Sequence, residues 1–128
     1  MTLSGIAALL IGTGILLGAF GAHGLEDQVS PERLETWRTA SSYHLFNSMG
    51  LLFLTSVPFQ KEIPPPIPWM VLFGTALFSG SLYLLVLLDQ PLLGAITPLG
   101  GLALSTAWIW LGFHLLSAKK SGTSQPMQ

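Results

Sequence analysis

The side chains able to do chemistry in this chain are few: three histidines, two tyrosines, five basic and six acidic groups, and no cysteine. The lack of cysteine excludes disulfides, thiolate metal sites and cysteine nucleophiles. His23 and His44 are the acid–base candidates. With one carboxylate they would also begin a metal site, but no two ligands stand at a recognised metal spacing. His114 lies far from both in the chain and falls near the opposite membrane surface, which excludes a three-histidine centre. No nucleophile elbow, phosphate loop or pair of catalytic carboxylates is present. The chain therefore reads as a non-enzyme with no metal and no cofactor.

What must position these groups follows from where charge is missing. Half of the 128 residues are hydrophobic and 9% are charged, against about 25% charged in ordinary soluble domains. Every charged residue falls at 26–38, 61–62, 89 or 119–120, which leaves charge-free runs at 1–25, 39–60, 63–88 and 90–118. Each is longer than the roughly 20 residues that a helix needs to cross about 30 Å of hydrocarbon. The fold class is all-α, an integral membrane four-helix bundle. Its spans are expected at about 3–22, 39–57, 67–88 and 98–118, followed by a polar tail at 119–128. Five basic residues without a basic patch exclude nucleic acid as a partner. The first run lacks the short apolar core and charged start of a cleaved signal, and is read as a retained span.

Local signals refine these elements. Gly24 is expected to cap the first helix in a left-handed conformation. Ser30, Pro31 and Glu32 read as cap, first helical residue and acid in the first turn. The second helix thus starts in the interface, and brings Leu34, Trp37, Ser41 and His44 to one side. Trp37 and Tyr43 suit the headgroup level. Residues 58–68, "PFQKEIPPPIP", are expected to be a stiff extended connection, with Trp69 opening the third helix. Thr97 and Pro98 predict a fresh helix start, which leaves 90–96 as an apolar loop; the alternative is one continuous helix kinked at Pro98. Small residues at Gly14, Gly18, Ala76 and Gly80, the Gly100–Gly101 pair, and Asn47 are the expected helix-packing positions.

Lys61, Lys119 and Lys120 share one membrane side, and Arg33 and Arg38 the other. The majority of three against two places the termini in the cytoplasm. On the outer side lie His23, Arg38, Tyr43, His44 and Asp89, a polar cluster in which Asp89 is the expected partner of Arg38. Such a cluster either ties helices together or lines a small pocket for a headgroup, an ion or a proton.

The ordered motifs "GAFGAHGL", "W-x-T-A-x-x-Y-H", "LFSGSLYLL" and "ITPLGG-x-x-x-x-x-x-W" resemble those of the small membrane proteins classed as domain of unknown function 423, the transmembrane protein 256-like family. The resemblance covers about residues 4 to 113. His23, Trp37, Ala40, Tyr43, His44, Gly80, Tyr83, Pro98, Gly100 and Gly101 fall on its signature positions. Many members carry a further histidine soon after the Tyr-His pair, where this chain has Asn47 and Ser48. The resemblance implies a bacterial inner-membrane protein and no activity. The expected role is a non-enzymatic component of the lipid bilayer that binds a lipid headgroup or another membrane protein. The alternative is a small homo-oligomeric transporter or channel with Arg38, His44 and Asp89 along a polar route.

Overall fold

The computed structural model describes residues 2–56 and 58–121, and these are helical with short turns between helices. Four helices run in chain order: α1 (Leu3–His23), α2 (Pro31–Thr55), α3 (Pro66–Leu88) and α4 (Thr97–Ser121). Short 3-10 turns at Phe59–Lys61 and Pro91–Ala95 lead into α3 and α4. α1, α3 and the stretch Pro91–Ala118 are long and apolar enough to cross a membrane. α2 is long enough, but Ser41, His44, Asn47 and Ser48 interrupt its apolar sequence. All four are buried, so α2 is a helix whose polar stripe faces protein.

Each helix packs antiparallel on the next. Gly14 lies against Leu45 and Gly18 against Ser41. Arg33 meets Asp89, and Ser79 meets Ala40. Thr97 meets Ser81, and Gly100 meets Phe78. α2 and α3 therefore form the inside of the bundle. α1 buries only Ala7, Gly14 and Gly21, a heptad stripe turned to α2.

Two apolar clusters fill the interior. One, near the chain termini, joins Ala7, Leu51, Leu54, Ile67, Val71, Leu104 and Ala107. The other, near the charged end, joins Leu25, Leu34, Trp37, Leu85 and Val86. Between them, at mid-height of α2 and α3, lie the buried polar residues Ser41, His44, Asn47, Ser48, Thr75 and Ser79.

The capping expectation at Ser30 holds, since its hydroxyl accepts from the Arg33 N–H at 3.2 Å. Four local expectations are corrected. Gly24 is right-handed at φ −93°, ψ −32°. The left-handed cap is instead Asp89 at φ 49°, ψ 47°. Pro91 prevents α3 from continuing, so the chain reverses there at once; Asp is among the few side chains that tolerate this conformation. Residues 58–68 are not extended throughout: α3 begins at Pro66, because proline in a first turn sacrifices only an N–H that has no helical partner. Trp37, expected to face the headgroups, is 1% exposed and turns its ring into the protein core. α4 runs three residues into the segment read as a tail, and residues 122–128 lie outside the described residues. At 90–96 the helices do break, with a 3-10 turn from Pro91 to Ala95.

Candidate functional site

The polar layer is built mainly by α2. Four-residue spacing puts Ala40, His44 and Ser48 on one stripe of that helix, and three- and four-residue spacing carries Trp37 and Ser41 alongside. His44 Nδ1 lies 3.0 Å from the Tyr83 hydroxyl of α3. The Tyr83 ring also packs at a tilt against Trp37, with centroids 4.6 Å apart. The Trp37 indole donates to the Leu17 carbonyl of α1 at 2.8 Å. One aromatic unit thus links α1, α2 and α3. The Ser79 hydroxyl donates to the Ala40 carbonyl at 2.8 Å. Asn47 works in both directions: its amide donates to the Tyr43 carbonyl at 3.0 Å, and its oxygen accepts from the Trp108 indole of α4 at 2.9 Å.

That last bond is a polar tie from α2 to α4. Asn47→Leu, which keeps the volume, should lower bundle stability by about 0.6–2 kcal/mol. Trp108→Phe should cost a similar amount, and the double variant less than the sum, as read by a double-mutant cycle in mixed micelles. Additive losses would show that the bond carries no coupling.

A second feature lies at the charged end. The Arg33 Nε and Nη2 both donate to Asp89 Oδ1, at 3.2 and 3.0 Å. This ion pair sits in a groove of about 620 Å³ between the start of α2 and the end of α3, lined by Gln28, Ser30, Glu32, Val86 and Leu87. The Asp89 side chain is 82% exposed, so one carboxylate oxygen remains open to solvent. Leu87, which lines the groove, is exposed, as are Leu88 and Leu92 just before and after Asp89 in the chain.

The five residues expected to form the polar cluster are dispersed. Among the described residues no hydrogen bond or ion pair joins any two of them. His23 ends α1 on an exposed face. Arg38 pairs at 3.8 Å with Glu35 of its own helix, not with Asp89. Five residues separate Arg33 from Arg38, about 140° around the helix, so only Arg33 faces α3. Tyr43 is half-exposed, with its ring 4.6 Å from that of Phe78. His44 is buried with Tyr83, and Asp89 sits in the groove. Of the packing positions, Gly100 lies against the Phe78 backbone, and Gly101 touches the Phe78 ring more loosely. Ala76 is exposed, and no atom of another residue approaches the Gly80 site. His114 bonds the Glu62 carbonyl through Nε2 at 2.8 Å, which fastens α4 to the α2–α3 connection. Among the described residues no three His, Asp or Glu gather as a metal site would require.

Sequence reasoning missed Arg33 as the partner of Asp89 and Tyr83 as the partner of His44. The available signal was antiparallel register: a short connection between α2 and α3 sets the first turn of one opposite the last turn of the other.

Comparison with known proteins adds the following. A family model described as a protein of unknown function, DUF423, matches residues 17–101. A UPF0382 membrane protein of Bacillus subtilis is 41% identical over 112 residues, covering 85% of this chain and 89% of the relative. One from Staphylococcus saprophyticus is 39% identical over 106 residues, covering 82% and 85%. One from Schizosaccharomyces pombe is 38% identical over 117 residues, covering 84% and 96%. No solved structure matches the chain.

Proposed function

The chain belongs to the DUF423 family of membrane proteins, and from that premise we propose that it is a non-enzymatic component of the bilayer that binds a phospholipid by its headgroup. We place it in the bacterial inner membrane with cytoplasmic termini, so that the groove opens on the outer side. The observation that supports lipid binding is the groove at the charged end, where polar and apolar surfaces meet.

Arg33 offers guanidinium donors suited to a phosphate, and the first turn of α2 adds its positive dipole end. The open oxygen of Asp89, with Glu32 beside it, suits an ammonium group. Leu87, Leu88 and Leu92 then meet the acyl chains. A headgroup with both charges fits this arrangement better than a purely anionic one, because the groove carries two acids and one base. A small oligomeric transporter would need Arg38, His44 and Asp89 along one route. These lie on the surface, in the core and in the groove, and nothing joins them.

The test is purification in native-lipid discs followed by mass spectrometry of the retained lipid. Wild type should retain a phospholipid bearing phosphate and ammonium. Arg33→Gln with Asp89→Asn should retain at least about tenfold less, the loss of one charge-assisted hydrogen bond. Asn is chosen because it tolerates the left-handed backbone. The exposed ion pair itself is worth only about 0–1 kcal/mol, so the variant keeps its fold. Retention unchanged in the double variant would sink the proposal.

A further inference from the structure

The charged groove leaves the middle of the bundle unexplained. We propose that the polar layer binds one water molecule, held between His44 Nε2 and Ser48 Oγ at the α1–α2 interface.

Both side chains are buried, 6% and 1% exposed. Both atoms are enclosed and have no hydrogen-bond partner in the protein. They stand four residues apart, one turn along the same stripe of α2. The imidazole cannot turn to satisfy Nε2 without giving up the bond from Nδ1 to Tyr83. The Leu10 carbonyl of α1 lies within range of the ring, but no hydrogen bond of good geometry closes to it.

The neighbouring polar groups are already committed. Ser41 donates to the Arg38 carbonyl and Thr75 to the Val71 carbonyl. Ser79 donates to Ala40, and Asn47 spends both ends on Tyr43 and Trp108. Two unpartnered polar atoms, one turn apart on α2, therefore remain, at a depth where lipid offers no partner.

The chemistry of this pair selects the ligand. No carboxylate, lysine or arginine lies in the layer, so an ion would find no counter-charge. Nε2 donates or accepts according to tautomer, and a serine hydroxyl does both. A neutral molecule with a donor and an acceptor satisfies either case, and water is the one that fits a closely packed interface. With Nε2 and the Ser48 hydroxyl the water makes two hydrogen bonds, the low end of the two to four that buried waters make.

The experiment uses the protein in lipid bilayers, labelled with ¹⁵N-histidine, and proton-detected solid-state NMR with magnetisation transferred from water. Wild type should show a water correlation to the His44 imidazole. Ser48→Ala should weaken that correlation several-fold with the backbone fingerprint unchanged. Tyr83→Phe should preserve the correlation while shifting the Nδ1 resonance. A wild-type spectrum with no water correlation at His44 would overturn the proposal. So would equal intensity in wild type and Ser48→Ala, or loss of the signal in Tyr83→Phe alone.

Discussion

Trp37→Ala should destabilise the bundle by about 3 kcal/mol, the low end of the range for removing a buried indole. The low end applies because lipid is as apolar as the core: the transfer gain that operates in water is absent, and the loss comes from contacts and the cavity left behind. Those contacts are many. Trp37 packs at a tilt against Tyr83, meets Phe20 in a T-shaped contact at 5.7 Å and donates to Leu17. It also lies so close to Gly21 that any side chain there would collide with the indole. Trp37→Phe should recover most of the packing and lose only the hydrogen bond, about 1 kcal/mol. Titration of dodecyl sulfate into mixed micelles, followed by circular dichroism, measures both. Equal losses for the two variants would show that the indole N–H, not packing, holds the three helices.

Gly100→Val should be the more disruptive change at the other interface, at or above the upper end of the ~1–3 kcal/mol typical of overpacking. A Cβ at position 100 would stand 2.5 Å from the Phe78 backbone nitrogen and 2.8 Å from its Cα. Backbone cannot swing aside as a side chain can, so α3 and α4 must separate. Gly101→Ala is the control: its Cβ would meet the Phe78 ring at 3.6 Å, an ordinary contact. The expected readout is a lowered midpoint for Gly100→Val, with Gly101→Ala near wild type. Similar midpoints for the two would disprove close backbone approach at Gly100.

These contrasts mark where the sequence was legible. Charge-free runs located the helices, because length and charge are one-dimensional quantities that hydrocarbon reads directly. Ser30–Pro31 was legible for a similar reason: a cap acts on atoms three residues away. The inward side of α2 could be read from the spacing of Leu34, Trp37, Ser41 and His44, all of which are buried. Partner choice could not. Whether Asp89 meets Arg33 or Arg38 depends on the rotation of α2 about its axis, which packing against both neighbours sets. Trp37 misled for a related reason. An amphipathic ring suits the interface, but here its N–H finds the Leu17 carbonyl in the interior. Gly24 misled, and the left-handed cap at Asp89 went unread, because the turn after each helix, not the residue type alone, demands the left-handed conformation.

The most polar of the four helices, α2, is one of the two inside, and that has a consequence for biogenesis. Serine, histidine and asparagine at mid-height make α2 a poor substrate for insertion by itself, since polar groups are penalised most at a helix centre. Its neighbours in space are its neighbours in sequence: α1, made before it, and α3, made after it. α1 can enter the bilayer first and present the Leu17 carbonyl and its Gly14–Gly21 face. α2 then partitions as the second arm of a hairpin, shielded on one side at once and on the other when α3 arrives. The order of synthesis thus matches the order of packing, and the helix least suited to enter alone has both its partners next to it in the chain.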